Sequence, residues 1–162
     1  MLIRPIKAED VNSCLDIYNY YIKSTCVTLE EKELTLSDYE ARVSDILKNY
    51  PYIVAENDGG AVVGFAYLDV FNFRSAYRCT ADLTIYVDHN SMHKHIGVLL
   101  LSEIEAAAKN RGIKNLISII TQSNTDSCGF HEANGFMLEG VIKNVAVKFG
   151  DVVSVCYYRK EL

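Results

Sequence analysis

One stretch of the sequence, residues 82–105, places the strongest constraint on the fold. Leu83, Ile85 and Val87 alternate with other side chains, which is typical of a β-strand. A polar loop follows, and a helix is predicted to begin near Gly97. Where a strand turns tightly into a helix, the first N–H groups of the helix lack acceptors and point at one place, where they favour an anion. The stretch therefore predicts a phosphate-binding turn in the middle of the chain.

Hydrophobic periodicity predicts the elements on either side of this stretch. They follow in the order β-α-α-β-β-β-α-β-α-β-β, which indicates a mixed sheet with helices on its faces in one α/β domain over residues 1–162. Ser37 followed by Glu40 has the pattern of a capping box, and Glu105 and Lys109 are spaced as an exposed pair on one helix. The predicted strands cover residues 2–6, 52–56, 61–70, 82–87, 116–120, 141–149 and 153–158, and the helices begin near residues 10, 36, 97 and 124–126.

Composition excludes several classes of protein. A length of 162 residues with 49% hydrophobic and 23% charged residues is typical of a globular domain. The net charge of −5 argues against nucleic acid as a partner, and no apolar run approaches a membrane span of about 20 residues. The first residues lack the apolar segment of a signal peptide, so we expect a cytoplasmic protein. An odd number of cysteines without CxxC spacing favours reduced thiols; the cysteines are Cys14, Cys26, Cys79, Cys128 and Cys156.

Two longer motifs link the chain to a known family. Residues 74–82 carry the pattern Arg-x-x-Tyr-Arg-x-Thr-x-Asp, and residues 124–136 carry Asn-x-x-Ser before a short helix that ends in Gly-Phe. With these motifs the chain resembles the GNAT superfamily of N-acetyltransferases, and within it the phosphinothricin N-acetyltransferase group, over nearly its whole length. The other matching segments are residues 3–5, 17–19, 85–87 and 147–150.

The resemblance implies a mixed, mostly antiparallel central sheet with helices on both faces, the GNAT-like acyl-CoA N-acyltransferase fold. It implies acetyl transfer from acetyl-CoA to the primary amine of a small amino-acid-like acceptor, of the phosphinothricin or methionine sulfoximine type. This reaction needs a base for the amine, a hydrogen-bond donor for the thioester oxygen and N–H groups for the pyrophosphate. The resemblance implies no metal. It also implies a homodimer, for which the closing hairpin offers strand edges.

The resemblance implies two catalytic residues. Asp82 takes the position of a glutamate that serves as general base in similar enzymes, and its shorter side chain favours a relaying water. The alternative for Asp82 is an ordinary solvated carboxylate, or one paired with Arg78. His131 takes the position from which a proton reaches the departing thiolate, a role that suits an imidazole near neutral pH. Alternatively, His131 is a partly buried structural residue beside Phe130.

Binding residues for both substrates follow from the same resemblance. Arg74, Tyr77 and Arg78 are expected at the acceptor, because guanidinium groups bind carboxylate or phosphinate through paired hydrogen bonds. The alternative is a surface loop with two solvated arginines. For Asn124 and Ser127, cofactor contact and simple N-capping can hold together. The expected acetyl-CoA contacts are Ile85, Tyr86, Val87, His93, Lys94, His95, Ile96, Gly97, Val98, Asn124 and Ser127.

The loop at residues 92–97 departs from the superfamily pattern Gln/Arg-x-x-Gly-x-Gly/Ala and keeps only the last glycine, Gly97. His95 stands where the pattern has a glycine that lets the backbone approach a phosphate. We therefore expect His95→Gly to tighten acetyl-CoA binding. The departure also leaves open a non-catalytic ligand-binding protein with the same fold.

Two other chemistries stay open at this point. His89, His93 and His95 lie within seven residues and have side chains that bind zinc or nickel. Cys128, near the start of a helix, or Cys79 could carry the acetyl group covalently. The resemblance favours direct transfer without a metal.

Overall fold

A seven-stranded sheet forms the centre of the computed structural model, which describes residues 1–92 and 95–162. Its strands in chain order are β1 (Leu2–Pro5), β2 (Tyr52–Glu56), β3 (Val62–Val70), β4 (Thr80–Val87), β5 (Asn115–Thr121), β6 (Met137–Lys148) and β7 (Asp151–Glu161). They lie in the order β1-β2-β3-β4-β5-β7-β6, and all neighbours are antiparallel except β4 and β5. The predicted mixed, mostly antiparallel sheet is confirmed.

Four α-helices in the described residues cover the two faces of the sheet. They are α1 (Val11–Ser24), α2 (Leu36–Leu47), α3 (Ile96–Asn110) and α4 (Thr125–Ala133). Helices α1 and α2 pack on one face, and α3 and α4 pack on the other. The predicted order of elements is therefore correct. Within residues 1–92 and 95–162, no helix is long and apolar enough to cross a membrane.

The hydrophobic core divides into one cluster on each face. Under α3, Leu100 and Ile104 are fully buried against the sheet with Leu116 of β5. Under α1 and α2, the cluster is rich in aromatic rings, and the hydroxyls of Tyr39 and Tyr52 lie 2.8 Å apart. Buried hydroxyls cost free energy unless they are hydrogen-bonded, so this pair satisfies both at once.

The N-terminus of α2 differs from the sequence-based prediction. Thr35, rather than Ser37, is the N-cap residue: its backbone is extended and its hydroxyl accepts the N–H of Asp38 at 3.2 Å. The same hydroxyl donates to the Asp38 carboxylate at 2.7 Å. The predicted Ser37–Glu40 box is wrong because Thr-x-x-Asp and Ser-x-x-Glu overlap by two residues, and either pattern can cap a helix.

Glu105 also has a different partner from the one predicted. Its side chain is only 16% exposed and pairs with Lys160 of β7, with 2.5 Å between Oε1 and Nζ. The predicted exposed pair with Lys109 is therefore wrong. The i,i+4 spacing describes an isolated helix surface, whereas here the edge of α3 faces the neighbouring strand.

The closing hairpin is fastened to the loop between α1 and α2. Phe149 and Gly150 form its turn, and both have the positive φ that a two-residue type I′ turn requires. The preceding Lys148 is 1% exposed, and its ammonium donates to the carbonyl of Thr28 at 2.7 Å. This contact holds the loop over the sheet face that carries α1.

The cap assignment gives a direct test of this part of the fold. We expect Thr35→Ala to lower the free energy of unfolding by about 1 kcal/mol, because an N-cap hydroxyl is lost. The matched control is Ser37→Ala, which removes an exposed hydroxyl two residues later and is expected to change stability by less than about 0.5 kcal/mol. Urea unfolding of both variants measures the difference. A larger loss for Ser37→Ala would restore the original prediction.

Candidate functional site

The parallel strands β4 and β5 separate after three residue pairs. The last pair joins Asp82 to Ile117, whereas β4 continues to Val87 and β5 to Thr121. Beyond this point the facing backbone groups have no partner in the other strand, and buried backbone polar groups require partners. The opening therefore suits a ligand that hydrogen-bonds along a strand edge.

A cavity of about 660 Å³ lies at this opening, between β4, β5, the first turn of α3 and α4. Its volume is in the range of small-molecule and cofactor sites. Two of the predicted cofactor contacts, His93 and Lys94, lie outside the described residues. The structure brings the others together around the cavity: Ile85, Tyr86, Val87, His95, Ile96, Gly97, Val98, Asn124 and Ser127.

Helix α3 begins at the cavity with a residue in the left-handed conformation. His95 has φ +59°, is exposed, and makes no capping hydrogen bond with its side chain. Its carbonyl accepts the N–H groups of Val98 and Leu99 at 3.1 and 3.2 Å. The N–H groups before Val98 have no acceptor within the helix, and together with the helix dipole they suit an anion.

Gly97 has a packing role that the sequence did not reveal. A Cβ at this position would lie 3.2 Å from Cε2 of Phe130 in α4, closer than ordinary van der Waals contact. The glycine therefore lets α4 approach the first turn of α3. The sequence pattern predicts only a place in the phosphate turn for Gly97, and the residues on either side of it do not indicate the contact with Phe130.

His131 is buried on α4, at 6% exposure, and its protonation state follows from one contact. Its Nδ1 lies 2.8 Å from the carbonyl oxygen of Ser127, which can only accept a hydrogen bond, so Nδ1 carries the proton. Burial lowers the pKa of His131, partly opposed by this hydrogen bond. At neutral pH the imidazole is therefore neutral with a lone pair on Nε2. Donation to the thiolate would need a proton on Nε2 as well, so the predicted role of His131 stays a prediction.

Two buried hydroxyls on β5 lack a hydrogen-bond partner within the described residues. They belong to Ser118 and Thr121, and Ser118 lines the cavity. An unpaired buried hydroxyl costs about 1–3 kcal/mol, which a polar ligand group can recover. The cavity thus fits a ligand that carries hydrogen-bonding groups as well as apolar surface.

Asp82 lies at the point where the two strands part. Its side chain points to the face under α1 and α2, because the next residue, Leu83, belongs to the core under α3. Burial, and secondly the charge of Asp69, raise the pKa of Asp82 to about 7, while a backbone hydrogen bond at Leu83 opposes the rise. The alternative pairing with Arg78 is wrong: the Arg78 guanidinium donates to the carbonyl of Ser75 at 3.3 Å.

A second cavity, of about 850 Å³, opens at the end of β3 and includes Arg78 and Asp69 among its lining residues. Arg74 and Tyr77 line neither this cavity nor the first. A single 3₁₀ turn, Ser75–Tyr77, lies between Arg74 and Arg78. Of the three predicted acceptor residues, Arg78 borders the cavity that Asp69 also lines, and the roles of Arg74 and Tyr77 stay predictions.

The proposed metal ligands do not form a cluster in the described part of the chain. His89 stacks on Tyr20 with ring centroids 3.7 Å apart, and its Nδ1 lies 3.2 Å from the carboxylate of Asp88. His93 lies outside the described residues. Among residues 1–92 and 95–162, no group of three or more His, Cys, Asp or Glu side chains is arranged to hold a metal ion. All five cysteines are free.

A mixed sheet that opens between its two parallel strands, beside a helix N-terminus, defines an acyl-CoA N-acyltransferase fold. More specifically, the chain belongs to the GNAT acetyltransferases, since residues 3–153 match the family described as Acetyltransferase (GNAT) domain. The predictions of this superfamily and of an acetyl-CoA-dependent acyltransferase are confirmed at the level of the family.

Individual relatives show which members of the family the chain is similar to. The chain is 28% identical to phosphinothricin N-acetyltransferase of Streptomyces viridochromogenes, over 98% of this chain and 86% of that protein. It is 27% identical to L-methionine sulfoximine/L-methionine sulfone acetyltransferase of Pseudomonas paraeruginosa, over 99% and 94%. The crystal structure of a phosphinothricin acetyltransferase from Sinorhizobium meliloti in complex with acetyl-CoA gives a TM-score of 0.96 at 32% identity, over 99% and 88%. The predicted likeness to the phosphinothricin acetyltransferase group is confirmed.

The left-handed backbone conformation of His95 at the start of α3 leads to a prediction with two readouts. We expect His95→Gly to raise the free energy of unfolding by about 0.5–1 kcal/mol, because glycine adopts positive φ without the cost that a Cβ imposes. We also expect tighter acetyl-CoA binding by calorimetry, since removing the side chain opens the approach to the helix N–H groups. Weaker binding would instead make the imidazole a phosphate ligand.

Proposed function

We propose that this protein transfers the acetyl group of acetyl-CoA directly to the primary amine of a small amino-acid-like acceptor, with Asp82 as general base. The observation that carries the proposal is the place of Asp82, half-buried in the last residue pair before β4 leaves β5 and next to Leu83, which lines the first cavity. A base whose pKa is about 7 is ionised often enough to accept a proton and basic enough to hold it. The names of the two relatives support the class of acceptor.

On the donor side, acetyl-CoA supplies the acetyl group as a thioester. The backbone edge of residues 85–87 that β5 does not pair with is suited to hydrogen-bond the pantetheine arm, with the Val87 carbonyl already accepting the hydroxyl of Tyr21 at 2.6 Å. The first N–H groups of α3 are suited to the pyrophosphate. Asn124 already caps α4 by accepting the N–H of Ser127 at 3.2 Å, and both residues border the cavity. Capping and cofactor contact are therefore compatible at these two positions.

On the amine side, Asp82 accepts the proton that the attacking nitrogen loses, through a water where its short side chain does not reach. The N–C bond forms as the C–S bond breaks, and the sulfur leaves as a thiolate. Because His131 presents a lone pair on Nε2 at neutral pH, we propose that this thiolate takes its proton from water. The backbone N–H groups of β4 beyond Asp82 are the donors available to the carbonyl oxygen.

The acceptor is proposed to enter from the second cavity. Arg78 and Arg111 line it, and in the described residues both guanidinium groups donate only to backbone carbonyls, at 3.3 and 3.4 Å. An acceptor with an acid group would give Arg78 the charged partner that it lacks. This arrangement favours amino acids and their analogues over simple alkylamines.

A thiol-release assay with acetyl-CoA and a panel of amines tests the proposal. We expect phosphinothricin, methionine sulfoximine or another small amino acid to react faster than alkylamines of similar size. Asp82→Asn should lower kcat by a factor of about 100 or more, with little change in acetyl-CoA binding, because only the base is lost. Equal rates in Asp82→Asn and the parent would refute the assignment of the base.

The stability of Asp82→Asn gives a second readout of the same carboxylate. Asp82→Asn should also raise the free energy of unfolding at pH 8, by up to about 4 kcal/mol, because the folded protein no longer holds an ionised carboxylate in a buried place. The pKa is higher in the folded than in the unfolded state, so the gain disappears as the pH falls below about 4.

Cys128→Ser should retain activity; its loss would favour a covalent route. Heat of acetyl-CoA binding without thiol release would indicate a non-catalytic binding protein.

We further propose that two copies associate through the edge strand β6. This strand ends the sheet and exposes an unusual number of apolar side chains: Met137, Leu138, Ile142, Val145 and Val147, with Val152 on β7 beside them. A long exposed apolar edge favours association with another strand or sheet face.

Light scattering after size exclusion tests this association. Val147 and Val152 are paired across the hairpin and are 62% and 61% exposed. We expect the parent to be a dimer and Val147→Glu/Val152→Glu to be a monomer, because the buried charges would lack partners. Leu47→Glu, on an exposed apolar position of α2, is the matched control and should remain a dimer. A monomeric parent would contradict the proposal.

A further inference from the structure

A second carboxylate faces Asp82 across the sheet. Asp69 of β3 is the direct partner of Asp82 of β4 in the antiparallel register. Directly opposite residues share a face, with their Cβ atoms about 5 Å apart. We propose that Asp69 is a positioning residue for acetyl transfer, whose negative charge keeps Asp82 basic enough to take the proton of the amine near neutral pH. The inference rests on the proposed role of Asp82 as general base.

The carboxylate of Asp69 is held by a hydrogen bond, and its charge changes the pKa values of neighbouring groups. The N–H of Val70 donates to its Oδ1 at 2.7 Å, which restricts the side chain. Burial raises the pKa of Tyr50, and the charge of Asp69 raises it further. Tyr50 and Asp69 both border the second cavity. On Asp82 the charge of Asp69 is again the second cause after burial. Asp69 therefore acts on the groups around it through its charge.

Several titratable groups surround the carboxylate pair, and the cations among them have other partners. Within the described residues, no Lys, Arg or His nitrogen lies within 4.0 Å of either carboxylate. The surrounding groups are Tyr67 from β3, Arg42, Asp45 and Tyr50 from α2 and the turn after it, Arg78 from the loop before β4, Arg111 after α3, and Arg159 from β7.

The two arginines with carboxylate partners show why the pair is not neutralised. Arg42 lies 2.7 Å from a carboxylate oxygen of Glu30, and Arg159 lies 2.6 Å from one of Glu139. Arg159 is also two strands away from Asp82 along the same row of the sheet, with Ile117 between them. Among the surrounding charges it is that of Asp69 that raises the pKa of Asp82, because a like charge disfavours the ionised form.

This arrangement explains how Asp82, whose side chain is shorter than the glutamate of similar enzymes, can serve as a base. A carboxylate with an ordinary pKa near 4 would be too weakly basic to take a proton from an amine efficiently at neutral pH. Burial provides part of the rise in the pKa of Asp82, and the charge of Asp69 adds to it from the neighbouring strand. Leu68 and Val70 on either side of Asp69 point to the opposite face, so among these three residues of β3 only Asp69 lies beside Asp82.

Asp69→Asn tests the inference, because it removes the charge and keeps the size of the side chain. We expect the acidic limb of the pH profile of kcat/KM to move to lower pH by about one unit, since the repulsion on ionised Asp82 is lost. The rate above this limb should fall only severalfold, because Asp82 remains present but becomes a weaker base. Asp58→Asn is the matched control: Asp58 lies in the turn before β3, is 94% exposed, and pairs with the N-terminus. Its pH profile should equal that of the parent.

A second measurement on the protein without substrates separates this inference from the proposed function. The carbon-13 shift of the Asp82 carboxyl should titrate about one pH unit lower in Asp69→Asn than in the parent. An unchanged titration together with an inactive Asp82→Asn would overturn the role of Asp69 and leave the base in place. A shifted titration together with full activity of Asp82→Asn would overturn the proposed function and leave the charge coupling in place.

Discussion

The separation of β4 and β5 after Asp82 and Ile117 is the constraint on which the rest of the structure depends. Two adjacent strands that stop pairing leave backbone groups without partners, which is costly unless each strand is held from its other side. Here β4 keeps seven residue pairs with β3, and β5 keeps seven with β7. The opening can therefore persist inside a continuous sheet, and a ligand can take the place of the missing hydrogen bonds.

Different polar groups lie beside the opening on the two faces of the sheet. On the face of α3 and α4 lie the helix N–H groups, the capped start of α4 and the hydroxyl-bearing Ser118. On the face of α1 and α2 lie Asp82, its neighbour Asp69 and the cavity that holds Arg78. The sheet thus separates a side suited to a large anionic donor from a side suited to a small acceptor. In the proposed reaction the two meet only at the end of the opening.

Local patterns in the sequence were sufficient for the order of elements, because periods of two and 3.6 residues need no information from elsewhere in the chain. They failed where two local patterns compete, as at Thr35 and Ser37, and where a distant partner decides, as for Glu105 and Lys160. The same division holds in the site. The residues around the first cavity could be predicted from motifs, whereas the close contact of Gly97 with Phe130 depends on how two helices meet.

The register of the sheet is the long-range feature that matters most for the chemistry. One row across the strands contains Asp69, Asp82, Ile117 and Arg159, so the same alignment fixes where β4 and β5 part and which charge faces the proposed base. Asp69 and Asp82 are thirteen positions apart, and no local pattern joins them. A slip of one residue between β3 and β4 would turn Asp69 to the opposite face and bring an apolar neighbour beside Asp82. The buried residues that favour this register, such as the paired Leu68 and Leu83, therefore also decide which charge lies beside the proposed base.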